Sequence, residues 1–320
     1  MKRSIRYEPL AAKTILNAVK APSMPFDWSI NPYRGCQHGC SFCYARSTHA
    51  FLGADTDDTF QNHIYVKSDA PGILRKQLER MAASRRGLNR IGSIAIGTAT
   101  DPYQPAEAKA MLTRGCLEVL AEYGVSASIT TRSPLIERDI DLLRRVPNLS
   151  VNISLNTMDH GIWKKLEPST PSPEKRLETV RKLNESGIPA GLFVAPIMPY
   201  ITDDGESLNR LIAEAARHDA IFVMPSILRL STSEVKVWFF RTLEEHFPHL
   251  IKRYAALYSG SGNAAASYRE KTSTLVRSLM AEHGVPDMAL FAANRPEPHA
   301  PGPEPEHVSE PKWEQMSLSF

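Results

Sequence analysis

Three cysteines lie within eight residues of one another, and their spacing could hold a metal cluster. Three residues separate Cys36 from Cys40, and two separate Cys40 from Cys43. Three thiolates close together on one loop can bind three corners of a 4Fe–4S cluster. The fourth iron then stays open and can bind the amino and carboxylate groups of a second small molecule. The sequence therefore predicts Cys36, Cys40 and Cys43 as the metal ligands.

A structural zinc site is the alternative for the same cysteines, with His38 or His49 as the fourth ligand. Structural zinc sites usually use paired Cys-x-x-Cys knuckles, and this spacing does not match them. The iron–sulfur interpretation is therefore favoured. The fourth cysteine, Cys116, lies alone in a helix-like stretch and is predicted to be a buried core thiol.

Six short apolar runs alternate with amphipathic segments, which predicts an α/β fold. The runs span residues 28–33, 93–97, 126–130, 150–155, 190–196 and 221–226. Most are continuously apolar, as buried parallel strands are, and the alternation implies right-handed crossovers. Helices are predicted over residues 72–83, 106–123, 135–145, 174–186, 207–217 and most of 233–285. In such folds the active site gathers at the carboxyl ends of the strands, and the cysteines follow the first run.

The composition is that of a soluble globular protein, with 42 % hydrophobic and 23 % charged residues in 320. No apolar stretch is long enough to span a bilayer, and the basic N-terminus lacks the features of a signal peptide. We therefore expect a cytoplasmic protein with no membrane partner.

Six sequence blocks between about residues 27 and 200 each lie near a predicted strand end. They are NPYRGCQHGCSFCYAR, GTATDPYQPAE, ITTRSPLIERDIDLL, SLNTMD, LEPSTPSPEKRL and FVAPIMP. The blocks, with the aromatic Phe42 before the last cysteine, resemble the spore photoproduct lyase-like branch of the radical S-adenosylmethionine (SAM) superfamily. The resemblance implies a partial (β/α)6 TIM-type barrel and a lyase-like enzyme with a 4Fe–4S cluster and SAM as cofactors. The reduced cluster would cleave SAM to methionine and a 5′-deoxyadenosyl radical, which would abstract a substrate hydrogen.

The resemblance also implies a domain organisation. Residues 27–230 would form the barrel, with an N-terminal extension over 1–26 and a helical C-terminal extension over 231–290. Residues 295–320 are Pro-rich and acidic, and such a segment cannot bury a core. We expect this tail to be disordered.

The same resemblance implies a set of cofactor-binding residues at the predicted strand ends: Phe42, Gly97, Thr98, Thr100, Asp101, Arg132, Ser154, Asn156 and Ala195. The loop 97–101 would contact the methionine amino group, and Arg132, where relatives carry lysine, would face the carboxylate. Ser154 and Asn156 would bind the ribose and carboxylate, and Ala195 would pack beside the adenine. From the residues alone, alternatives stay open. The loop could be a capped polar turn, Arg132 a surface side chain, and the Ala195 segment an apolar strand end. Glu107 could be a capping carboxylate or a site residue.

One departure from the branch concerns the loop after the second strand. The spore photoproduct lyase has a cysteine there that returns a hydrogen atom to the product radical, and Thr98 takes the matching place here. A threonine hydroxyl is a poor hydrogen-atom donor. Repair of spore photoproduct by the same route is therefore not expected.

Charge and the C-terminus suggest partners. Segment 295–320 has two basic residues and five glutamates, so its formal charge is −3. Because the whole chain carries +3, residues 1–294 carry +6. A basic body permits DNA or another nucleic acid as partner. The basic stretch 75–90 could meet phosphates, although a solvated helix face is favoured for it. The terminal residues Gln315–Phe320 resemble a sliding-clamp-binding peptide, which predicts a clamp contact.

Three functional hypotheses follow. The first is a radical enzyme acting on a nucleic-acid lesion or base, in DNA repair or base modification. The second is a radical enzyme acting on a small metabolite or peptide, favoured if residues 233–285 close a narrow cavity. The third is a non-catalytic zinc-binding module. Either enzyme would also need an electron-donor protein such as a flavodoxin or ferredoxin.

Overall fold

Strands and helices alternate through most of the computed structural model, which describes residues 4–20, 24, 26–53, 57–88 and 91–293. The strands are β1 Arg6–Pro9, β2 Leu16–Ala18, β3 Trp28–Ile30, β4 Tyr33–Arg34, β5 His63–Val66, β6 Ile94–Ile96, β7 Ala127–Thr131, β8 Ser150–Ser154, β9 Ala190–Ile197 and β10 Val223–Ile227. The helices are α1 Thr59–Asn62, α2 Ala70–Ala82, α3 Glu107–Ala110, α4 Leu112–Glu122, α5 Ile140–Leu143, α6 His160–Leu166, α7 Pro173–Glu185, α8 Gly205–Arg217, α9 Ser233–His246, α10 Ile251–Leu257, α11 Ala266–Glu282 and α12 Met288–Ala293. Segments Tyr44–Leu52, Pro134–Asp139 and Pro248–Leu250 form 3₁₀ helices. The tail 295–320 and its clamp-like segment Gln315–Phe320 lie outside the described residues.

The main sheet is an open, partial barrel. Its strand order is β10-β9-β8-β7-β6-β3-β2, and every pair is parallel except β2 with β3. Each of the six predicted runs contributes one parallel strand. Within the described ranges β10 and β2 are the two edges, so the barrel does not close. The predicted partial (β/α)6 TIM-type fold is confirmed.

Helices cover the outer face of this sheet because alternate strand residues are apolar on that side. Val151 and Ile153 of β8 are fully buried in the core that the sheet shares with α7 and the neighbouring helices. The start of α7 is set locally, since Ser172 accepts a hydrogen bond from the Lys175 amide and proline occupies the first turn. Cys116 of α4 is fully buried in the same core, which confirms the prediction of a core thiol.

Two predicted elements have different bounds in the structure. The first barrel strand ends at Ile30, and Tyr33 belongs instead to β4, which pairs with β5 in a separate sheet of order β1-β5-β4. The helix predicted over 106–123 is broken at Met111, whose φ is 52°. The break lets the Glu107 carboxylate accept hydrogen bonds from the Thr113 and Arg114 amides, at 3.0 and 3.1 Å. Glu107 is therefore a capping carboxylate of α4.

The helical extension builds a second core against the cysteine loop. Apolar side chains of α9 and α10, among them Phe239 and Tyr254, pack in one cluster with Cys40 and Phe42. Helix α11 instead packs on α8 and β10, along the outer face of the barrel. Among the residues that the structure describes, none of the helices combines the length and apolar character needed to cross a membrane.

Residues 75–88 of the basic stretch, which the structure describes, lie on α2 and the turn that follows it. Strand β6 begins at the end of the sheet opposite the cysteine loop, because β6 is parallel to β3 and the loop follows the carboxyl end of β3. Arg75 forms an exposed ion pair with Glu122. This placement agrees with the solvated helix face that the sequence favours.

Candidate active site

The cysteine loop follows β3 and is held by backbone hydrogen bonds to two distant segments. The Cys36 amide donates to the Phe60 carbonyl at 3.1 Å, and the Ser41 amide donates to the Leu166 carbonyl at 2.9 Å. Gly35 has φ +80°, and a Cβ on it would come within 2.7 Å of the Phe60 and His63 carbonyl oxygens. Glycine before the first cysteine is therefore required for this close wrapping.

The loop after β6 lies against the cysteine loop through side chains that bridge the two. Asn31 donates to Thr98 Oγ1 at 2.9 Å and accepts from the Ala99 amide at 2.8 Å. Thr100 Oγ1 donates to the Gly35 carbonyl at 2.6 Å. Thr98 and Thr100 thus have partners within the protein, and their contact with the cofactor stays a prediction. The sequence reasoning missed Asn31, although its place directly after the first strand was a signal.

Gly97 starts this loop in a conformation that only glycine adopts easily. Its φ is +92°, and a Cβ would lie 2.5 Å from the Thr130 carbonyl oxygen and 2.6 Å from Pro102 Cδ. We expect Gly97→Ala to lower the free energy of unfolding by at least about 3 kcal/mol, from backbone strain plus this clash. Gly124→Ala is the control, because Gly124 also has positive φ (+63°) but open space around it, and about 1 kcal/mol is expected. Urea unfolding of both variants measures the difference, and equal losses would contradict this account.

Asp101 is a buried anion that joins three segments of the site. Its carboxylate accepts hydrogen bonds from Thr131 Oγ1 at 2.6 Å and from the Arg132 amide at 2.8 Å. His38 Nε2 lies 3.2 Å from Asp101 Oδ2. Burial alone would raise the pKa of Asp101, but His38 and the two hydrogen bonds outweigh burial and lower that pKa to about 2. Asp101 is thus an ionised link between the cysteine loop and β7.

Arg132 follows β7 and is clamped rather than free. Its Nε donates to Glu167 at 3.0 Å, a second nitrogen donates to the Ala195 carbonyl at 3.3 Å, and the guanidinium lies 5.6 Å from the Phe42 ring centre. Two of the three guanidinium nitrogens, Nε and Nη2, already have partners within the protein. This leaves fewer donors for the two-pronged contact that arginine can make with a carboxylate, and the contact with SAM stays a prediction. Its side chain is 19 % exposed, which excludes the alternative of an open surface arginine.

Glu167 lies between two arginines and completes a buried triad with Arg132 and Arg176. Glu167 and Arg176 are both fully buried, and Arg176 also donates to the Ser154 carbonyl at 3.1 Å. Burial raises the pKa of Glu167, but the charges of Arg176 and Arg132 outweigh burial and hold it below its ordinary value. The sequence reasoning missed Glu167 and Arg176, although both lie in the quoted block LEPSTPSPEKRL.

Ser154 is the last residue of β8, and Asn156 lies two residues after it. Both side chains are almost completely buried. Both amide atoms of Asn156 have no hydrogen-bond partner among the described residues. Buried polar atoms are nearly always paired, so this amide is suited to a ligand with its own donors and acceptors. Ala195 lies on β9 before a cis peptide bond to Pro196, and it is buried. Ser154, Asn156 and Ala195 thus lie at or near the carboxyl ends of β8 and β9, and their contact with the cofactor stays a prediction.

The donor set of the loop fits an iron–sulfur cluster. Cys36, Cys40 and Cys43 are free thiols on one loop. Burial raises the pKa of Cys40 to about 12 and that of Cys36 well above its ordinary value. A thiolate at these positions therefore needs a positively charged partner, which cluster iron provides. Within the described ranges, no three His, Cys, Asp or Glu side chains are placed to bind a single metal ion.

Each of the two histidines considered for zinc has one ring nitrogen in contact with a backbone carbonyl oxygen. His38 Nδ1 lies 3.3 Å from the Ser169 carbonyl oxygen, and its other nitrogen faces Asp101. His49 is fully buried, with Nε2 3.3 Å from the His63 carbonyl oxygen.

Comparisons with known proteins identify the family of this chain. The family model described as the Radical SAM superfamily matches residues 30–212. An uncharacterized protein of Mycobacterium tuberculosis is 34 % identical over 299 residues, which cover 92 % of this chain and 84 % of that protein. A radical SAM Nα-GlyT isomerase of Pseudomonas phage M6 is 25 % identical over 324 residues, which cover 98 % of this chain and 60 % of the phage protein.

A solved structure has the same fold. A mutant spore photoproduct lyase with bound AdoMet and dinucleoside spore photoproduct superposes with a TM-score of 0.64 at 17 % identity, covering 87 % of this chain and 79 % of that one. The cysteine loop, the partial barrel and the family match lead to one conclusion: this chain belongs to the radical SAM superfamily, whose cofactors are a 4Fe–4S cluster and S-adenosylmethionine.

Proposed function

We propose that this chain is a radical SAM enzyme that removes a hydrogen atom from a base or lesion of a nucleic acid. When bound, the cluster and SAM supply the hydrogen-abstracting radical. One comparison supports the substrate class: the spore photoproduct lyase structure that shares this fold holds a dinucleoside photoproduct.

The concave face of the barrel sheet offers a polar, partly open surface for such a substrate. Because side chains alternate along a strand, Asn152 and Ser154 of β8 face away from the core that holds Val151 and Ile153. Asn152 Nδ2 donates to Thr130 Oγ1 at 3.3 Å, which places both side chains on the same face. Thr130 and the neighbouring strand residue Phe193 are partly exposed there.

The Asn152 amide is the observation that carries the proposal. It is 5 % exposed, and its Oδ1 has no partner among the described residues. The amide therefore presents an acceptor with an N–H beside it, which matches the paired groups on the edge of a nucleobase. Asn152 lies two residues deeper than Ser154, about 7 Å along the strand, so it can face substrate while Ser154 and Asn156 face SAM.

Positive charge at the rim suits an anionic backbone. Arg229 follows β10 and is exposed. Phosphates are bound mainly by such side chains, independently of sequence. The exposed Tyr44, directly after the last cysteine, adds an aromatic surface on which a base could stack.

Anaerobic turnover with deuterated nucleic acid tests the proposal. We expect deuterium from base-deuterated single- or double-stranded DNA, or from RNA, to appear in 5′-deoxyadenosine by mass spectrometry. Asn152→Ala should lower that transfer about tenfold through loss of one hydrogen bond, whereas Asn17→Ala on the edge strand β2 should not. Transfer only from free metabolites or peptides, or cleavage of SAM with no transfer from any nucleic acid, would contradict the proposal.

A further inference from the structure

Arg46 is fully buried directly behind the cysteine loop. Its Nη1 donates to the Asp57 carbonyl at 2.8 Å, and its Nη2 donates to Gln61 Oε1 at 2.6 Å. The second nitrogen also lies 3.3 and 3.4 Å from the Gly39 and Cys40 carbonyl oxygens. All of these acceptors are uncharged, so these hydrogen bonds hold the guanidinium in place without adding a negative charge beside it.

The surroundings of Arg46 make its charge act strongly on its neighbours. The guanidinium lies between two aromatic rings, 4.1 Å from the Trp238 ring centre and 5.3 Å from that of Phe60. Charges interact more strongly in such a buried site, where the effective dielectric constant is low, than they do in water. Burial lowers the pKa of Arg46, whereas negative charge on the cysteines of the loop, and on Asp58, raises it.

We propose that Arg46 is a positioning residue that raises the reduction potential of the cluster bound by Cys36, Cys40 and Cys43. Reduction adds one electron from a flavodoxin- or ferredoxin-type donor and makes the cluster more negative by one charge. A fixed cation beside the loop stabilises that extra charge, since net charge and hydrogen bonding set iron–sulfur potentials. The inference rests on the cluster of the superfamily and is independent of the substrate proposed above.

The test is the midpoint potential of the reconstituted cluster. It is measured in a redox titration without substrate, in which electron paramagnetic resonance detects the reduced cluster. Arg46→Gln keeps donors to the carbonyls but removes the charge, and we expect about a tenfold smaller equilibrium constant for reduction, or 59 mV more negative. Arg46→Lys keeps the charge and should stay closer to the wild type. Lys67→Met is a matched control and should leave the potential unchanged, because Lys67 is also buried and donates to a carbonyl, but the thiol whose negative charge raises its pKa is Cys116, which is not a cluster ligand.

A second pair of variants tests the effect of the Arg46 charge while Arg46 itself is left unchanged. Trp238 is partly exposed on α9, so Trp238→Glu places a carboxylate against the guanidinium, and Trp238→Gln is its neutral counterpart. The potential of the glutamate variant should be the more negative of the two. An unchanged potential in Arg46→Gln, equal shifts in Arg46→Gln and Arg46→Lys, or equal potentials for the Trp238 pair would each overturn the proposal.

Discussion

Replacing any one of Cys36, Cys40 or Cys43 by alanine is expected to abolish iron–sulfur loading and SAM cleavage. Loss of a residue that only supports a metal ligand already costs 10- to 100-fold, so loss of a ligand should lower cleavage by at least about a hundredfold. Iron and sulfide analysis after anaerobic reconstitution, together with assay of 5′-deoxyadenosine, measures the loss.

Cys116→Ala is the matched control for these variants. Cys116 is buried, as Cys36 and Cys40 are, but it lies in the helix-side core, so cluster loading should not change. Full loading of any loop variant, or loss of iron on changing Cys116, would contradict the assignment of the ligands.

Replacing Glu167 by alanine is expected to destabilise the protein by about 3–5 kcal/mol. The change leaves Arg132 and Arg176 without their shared carboxylate, and a buried charge without its partner is strongly destabilising. Because Arg176 also holds the Ser154 carbonyl, we expect weaker SAM binding as well.

Glu174→Ala is the control, since Glu174 is an exposed acid paired with His160 on the surface. It should change the free energy of unfolding by no more than about 0.5 kcal/mol. Denaturant unfolding of both variants decides, and a Glu167 variant as stable as the Glu174 variant would show that the triad does not support the site.

The parts of the fold that the sequence predicts are those with a strong local signal. Each of the six apolar runs becomes a barrel strand, and the cysteine spacing marks the loop after the first. Strand β4 and its sheet were missed because Tyr33 and Arg34 form only a two-residue strand, whose partner β5 lies about 30 residues away. The break at Met111 was missed because it depends on Glu107 turning back onto the next helix.

The parts of the site that the sequence does not predict are pairings between distant residues. Glu167 meets Arg132 across 35 residues, and Asn31 meets Thr98 across 67, so no periodic pattern reveals either contact. The role of Arg46 depends likewise on Trp238 of the helical extension. A sequence motif also does not reveal which of its residues are already paired within the protein. The loop 97–101 resembles a cofactor-binding loop, yet Thr100 and Asp101 have hydrogen-bond partners within the protein.

The central claim is that the loop of Cys36, Cys40 and Cys43 holds a cluster that cleaves SAM at the mouth of the partial barrel. The most direct measurement is anaerobic incubation of the reconstituted, dithionite-reduced protein with SAM, with methionine and 5′-deoxyadenosine quantified. We expect both products to form in equal amounts and neither to form with Cys40→Ala. A protein that retains zinc without iron or sulfide and leaves SAM intact would contradict it.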